Sequence, residues 1–140
     1  MKPVFVAGLI LFAGVGCNSE NSRAQQARTL LERIARIDHR APLPERRVQV
    51  DALRTLPLKE QDLVQMRDVC AAAHGGLLAA ESEQAEVRAR LDDAGTRDLA
   101  QPELAQLGQQ LAQAGEKLRK ANAALPDCEA RTRTLLERYR

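Results

Sequence analysis

Two long series of apolar and small residues, stepping alternately by three and four, constrain this chain more than any other feature. The first runs through Leu63, Met66, Cys70, Ala73, Leu77, Ala80, a polar Gln84, Val87 and Leu91. The second runs through Leu104, Leu107, Leu111, Ala114, Leu118, Ala121, Leu125, Cys128, Thr132, Leu135 and Tyr139. A spacing that averages 3.5 residues returns a side chain to the same helical stripe every two turns, so both segments read as heptad-patterned helices. Asp92, Asp93, Ala94, Gly95 and Thr96 separate them. Gly95 suits a helix C-cap and Pro102 the first turn of the following helix. The pattern predicts an antiparallel hairpin in which facing core positions have residue numbers summing to about 195.

That register places Cys70 and Cys128 within about one turn of each other on the facing seams. We therefore expect a disulfide between them that clamps the open end of the hairpin. Gly75, Gly76 and Pro126 interrupt the series without shifting its phase, which predicts kinks, with Pro126 opening a C-terminal helix over 127–139.

Upstream, Ala27, Leu30, Leu31, Ile34 and Ile37 mark one face of a helix over 22–38. Pro42 and Pro44 end it, and Val48, Ala52 and Leu56 mark a short helix over 44–56 that Pro57 closes. This pair is expected to cover the open face of the hairpin. Gly108, Ala112 and Gly115 form a track of small residues, which admits either close approach by a neighbouring helix or ordinary Ala and Gly content. The fold class expected is all-α: a small bundle on a long antiparallel helical hairpin, stapled by Cys70 and Cys128. Residues 23–140 form one domain, divided into N-terminal helices at 23–56 and the hairpin with its extension at 57–140.

The first sixteen residues stand apart. Lys2 precedes an apolar run over 4–15 that ends on small residues and Cys17. The run is well short of the roughly 20 residues that span a bilayer, and small residues at its end suit cleavage, so 1–16 reads as an export signal. A cysteine directly after a small residue resembles the lipobox of bacterial lipoproteins. The resemblance implies that Cys17 is diacylated and becomes the mature N-terminus, that 17–22 is a lipidated tether, and that the membrane is a partner through this anchor. Gly14 stands where the lipobox usually carries a branched apolar residue. Gly14 and Gly16 also fit ordinary signal peptidase cleavage, which leaves Cys17 as a free thiol; both readings export the chain. Asn18, rather than Asp, follows the cysteine, and the enteric sorting pattern then implies the outer membrane, facing the periplasm.

Removing 1–16 leaves 124 residues with 20 basic against 19 acidic side chains, a balance that gives no reason to expect nucleic acid. Both phenylalanines lie in the signal, there is no Trp, and Tyr139 is the one remaining aromatic residue. Sugar sites, base-stacking platforms and cation cages rest on aromatic faces, so no small-molecule substrate is expected. Charge is unevenly spread: eight Arg against four acids over 23–54, seven acids against three Arg over 81–103, and seven bases against three acids over 117–140. The hairpin tip is acidic and its base basic. That basic end either faces anionic lipid or a partner, or is simply solvated.

No catalytic residues are assigned. His39 and His74 lie in different segments, and Glu81 with Glu83 or Asp92 with Asp93 suit a solvated helix and a turn. No phosphate loop, nucleophile elbow or zinc-protease signature occurs. Cys70, His74 and Cys128 admit a three-ligand metal site. Oxidising conditions and the two cysteines that remain once Cys17 is set aside favour the disulfide instead, with no metal and no cofactor.

The C-terminal Glu137, Arg138, Tyr139 and Arg140 resemble the end of Braun's lipoprotein, but the terminal Lys that carries its peptidoglycan link is replaced by Arg140, so no covalent wall tether is expected. In size, anchoring and helical class the chain is similar to type II secretion pilotins, an analogy of architecture alone. The function expected is protein–protein interaction or assembly in the cell envelope, adaptor-like and not enzymatic. The alternative is a helical spacer or oligomer between outer membrane and wall, with its heptad seams pairing between chains.

Overall fold

The computed structural model describes residues 17–139, with backbone alone for 17, 18 and 94–98. The export signal at 1–16 and Arg140 lie outside the described residues. Four helices and no strands make up the regular structure of the described chain: α1 (Cys17–Ala35), α2 (Leu43–Arg54), α3 (Gln61–Asp98) and α4 (Gln101–Arg138). The all-α fold built on a long helical hairpin is the one the heptads predict.

The expected turn is corrected. Residues 92–96 continue α3 instead of breaking it, and Gly95 lies inside the helix rather than at its C-cap. The turn is Leu99 and Ala100, both with extended backbone (φ −81°, ψ 131° and φ −66°, ψ 148°). One helical Gly costs only about 1 kcal/mol, less than the backbone hydrogen bonds forfeited by unwinding the last turns. The start of α4 is fixed locally: Pro102 sits in its first turn, where its missing N–H is not needed. The Glu103 carboxylate accepts the Ala100 N–H at 3.2 Å.

The longer α3 moves the register of facing positions from a sum near 195 to one near 199. Cys70 then faces Cys128, a Cβ on Gly76 would lie 3.4 Å from the Ala121 Cβ, and Glu83 meets Lys117 at 2.6 Å. Neither Gly75, Gly76 nor Pro126 ends a helix; α4 runs through Pro126 without a separate helix beginning at Asp127. The buried residues of α4 are Leu107, Ala114, Ala121, Cys128 and Leu135, an unbroken seven-residue period. The intervening stripe through Leu104, Leu118, Leu125 and Tyr139 is half-buried, and its Leu111 is 37% exposed.

The residues expected to form a tether, 17–22, are the opening turns of α1. Ala27 and Leu30 of α1 and Ile37 just beyond it join Val50, Leu53 and Leu56 in one core with Leu63, Met66, Cys70, Ala71, Leu78, Cys128 and Leu135. All of these positions on the hairpin lie in its open half. Arg46 of α2 reaches Glu81, and Leu43 and Pro44 lie beside Ser82 and Ala85. Beyond this level the two long helices are held by Val87, Leu107 and Ala114 along their own seam. The N-terminal pair thus covers the base of the hairpin and leaves its tip uncovered.

Side-chain amides fix the two linkers. Gln49 Oε1 accepts the Asp38 N–H at 3.0 Å, and Gln26 Oε1 accepts the Lys59 N–H at 2.7 Å. Arg67 donates to the Leu56 carbonyl at 2.9 Å, holding the start of the second linker onto α3. No described helix is long and apolar enough to cross a membrane.

Candidate functional site

The sequence places three features of interest along the chain: Cys17, the pair Cys70 and Cys128, and the two histidines. Cys17 is the first residue of α1, and its side chain lies outside the described residues. Arg23, less than two turns further on, pairs with Asp62 near the start of α3 and interacts with Tyr139 at the end of α4, and both contacts raise its pKa. Cys17 therefore belongs to the open end of the hairpin, opposite the tip.

Cys70 and Cys128 form a disulfide with Cα atoms 4.9 Å apart, closing a loop with a sequence separation of 58. Both are buried in the base, at 0% and 1% exposure. Cys70 stands on the inner seam of α3, and His74 follows four residues later on the same helical face. His74 is buried, with Nε2 4.0 Å from Cys128 Sγ and Nδ1 buried without a hydrogen-bond partner. Burial lowers its pKa from 6.5 to about 4, assisted by the positive potential of His39 and Arg46. The ring is a neutral imidazole at neutral pH.

The separation of the two histidines in sequence hides their arrangement in space. His39 lies in the linker between α1 and α2, and its ring centroid is 5.1 Å from that of His74 at an interplanar angle of 31°. Asp38 shapes this linker, accepting the Arg40 N–H at 2.8 Å. The Cys–x3–His spacing is visible in the sequence; the approach of His39 depends on how α1 returns to the bundle and has no local signature. Ile37, His39, His74, Cys128, Thr132 and Leu136 line an open groove of about 400 Å³. With the disulfide closed, no group of three His, Cys, Asp or Glu side chains among the described residues is disposed to hold a metal ion.

The acidic pairs have structural partners. Glu81 pairs with the buried Arg46 and Glu83 with Lys117, while Ser82 donates to the Leu78 carbonyl at 2.8 Å. Much of the basic charge of α4 is also locally paired, Arg131 with Asp127 at 3.1 Å and Arg119 with Glu116 at 2.7 Å. Gly108 and Gly115 face open space, with no atom within 4 Å of a Cβ built on either.

A second concavity lies near the hairpin tip. Leu99 and Leu107 supply its apolar lining and Arg90, Asp93, Glu103 and Gln110 its polar rim, around about 420 Å³. No protein-family model, no curated protein and no solved structure matches this chain.

Proposed function

We propose that the chain is an exported lipoprotein, held through Cys17 in the outer membrane, that serves as an adaptor or assembly factor for other proteins of the cell envelope and is not an enzyme. One observation carries the reading: the contacts of Arg23 with Asp62 and Tyr139 put the start of α1 at the opposite end of the hairpin from Leu99 and Ala100. At 1.5 Å per residue, the 38 residues of α3 reach about 57 Å. A lipid on Cys17 fixes the four-helix base beside the membrane and projects the two-helix tip away from it, where a partner meets the groove around Leu99 and Leu107. The extended geometry serves reach and contact; nothing in it calls for a substrate-sized enclosure.

Crosslinking of the full-length protein in its native envelope, followed by capture and mass spectrometry of linked peptides, tests the proposal. Links from residues 90–110 to one other envelope component are expected. Links to other copies of the same chain alone overturn it in favour of the helical spacer. The anchor is tested separately: Cys17→Ser releases the protein from the membrane fraction if Cys17 is lipidated, and retention of the variant there refutes the anchor.

A further inference from the structure

The chain has two histidines and, after Cys17, two cysteines. All four meet in the base of the bundle, although they come from the α1–α2 linker, α3 and α4. From this convergence we propose that, when the disulfide is opened, Cys70, His74, Cys128 and His39 form a tetrahedral Cys2His2 site for a zinc-class divalent cation, so that metal binding and the disulfide are alternative states of one locus.

The distances suit the chemistry. Zinc bonds of about 2.0–2.1 Å to nitrogen and about 2.3 Å to sulfur, at a tetrahedral angle, separate the two donors by about 3.6 Å. His74 Nε2 is already 4.0 Å from Cys128 Sγ. Cys70 and His74 are four residues apart on one helix, the spacing at which two side chains of a helical face converge on an ion. Two thiolates on one ion stand about 3.8 Å apart by the same geometry; side-chain rotation supplies that separation once the sulfur–sulfur bond is gone. His39 lies over His74 at 5.1 Å between ring centroids and is exposed, so its ring is free to turn inward as the fourth ligand. Nδ1 of His74 is buried without a hydrogen-bond partner, so no bond on that edge of the ring opposes its turning toward the ion.

The change of state balances as thiol–disulfide exchange. A thiolate of a dithiol reductant attacks one of the two cysteine sulfurs, giving a mixed disulfide and releasing the other as a thiolate. The second thiol of the reductant then displaces the mixed disulfide, so that the reductant leaves oxidised and the protein holds two thiols. The cation displaces the two thiol protons as it binds. Exchange with a disulfide oxidant re-forms the Cys70–Cys128 bond and releases the ion.

The test is Co²⁺ titration of the full chain, reduced, freed of reductant and kept from air, with far-UV circular dichroism read on the same samples. The expected result is one Co²⁺ per chain with the visible absorption of a tetrahedral thiolate site, displaced by Zn²⁺ and absent from the oxidised protein. His74→Ala and His39→Ala each weaken binding at least tenfold. Failure of the reduced chain to take up one equivalent overturns the proposal, as does uptake that neither substitution alters, since the thiols alone then hold the ion. If reduction itself lowers the helix content, Zn²⁺ must restore it; a reduced chain that stays unfolded with Zn²⁺ also overturns the site.

Discussion

Arg46 and Glu81 form an ion pair between α2 and α3 in which the guanidinium is buried and the carboxylate half-buried. The pair decides where α2 sits on the hairpin, because the cation has to meet the anion at the edge of the core. Removing only the anion leaves a buried, unpaired charge, a more costly state than removing the cation itself. Glu81→Ala is expected to destabilise the fold by about 2–3 kcal/mol, discounted from the fully buried case because Glu81 is partly solvated. Arg46→Met, which keeps an apolar stem in place, costs less. Urea denaturation of the two variants checks the order; equal losses show that the pair acts through packing alone.

The disulfide supports a core with little large apolar volume. Leu30, Leu53 and Leu63 are its largest fully buried side chains besides the two cysteines, and much of the remainder is alanine. In the chain-entropy account, a closed loop of this length contributes about 4 kcal/mol. Cys70→Ala combined with Cys128→Ala is expected to lower the unfolding free energy by that order without changing the helical signature of whatever fraction stays folded. A double variant as stable as the oxidised parent refutes the staple.

The depressed pKa of His74 gives the oxidised protein a pH-dependent stability whose sign is fixed. Its folded-state pKa, about 4, lies below the unfolded value of 6.5. Above pH 6.5 the ring is neutral in both states and its contribution is complete. As pH falls from 6.5 toward 4 the unfolded chain takes up a proton that the folded chain refuses, and stability declines. The groups facing the ring are His39 from the linker, Arg46 from α2, and Glu129 and Arg133 from α4 along the shared groove. Between pH 7 and 5 the loss is expected to reach about 2 kcal/mol at most, less any solvent screening through the groove. Comparing urea midpoints of the parent and His74→Leu at both pH values isolates it; parallel curves rule it out.

The long periodic segments made the hairpin legible, because a heptad stripe of 28 residues or more has few other interpretations. The turn was harder to place. Gly95 carries a strong local stop signal, yet its cost is small beside the hydrogen bonds of a continuing helix, and the opposing signal at Pro102 and Glu103 prevails. The two-residue correction to the turn's centre also set Cys70 directly opposite Cys128. The disulfide is readable from two seam positions and from the two cysteines left once Cys17 is set aside. The meeting of His39 with His74 was not, since it depends on the path of α1 and its linker, which no periodicity encodes.

Gly108 and Gly115 distinguish a contact surface from ordinary composition on the outer face of α4. Neither has an atom within 4 Å of an added Cβ, and both have helical backbone without positive φ. Nothing inside the molecule uses their small size, so in the isolated protein an alanine at either position gains helix propensity at no steric cost. Gly108→Ala and Gly115→Ala are each expected to stabilise the fold by about 0.8–1 kcal/mol and, at distant sites, to do so additively. If another protein packs closely on this face, the same methyl groups obstruct it and the stabilised variant loses crosslinks in the native envelope. Thermal unfolding and crosslinking of the double variant read the two effects apart: higher stability with unchanged crosslinks makes the glycines incidental, and higher stability with lost crosslinks makes them the place where a partner helix approaches.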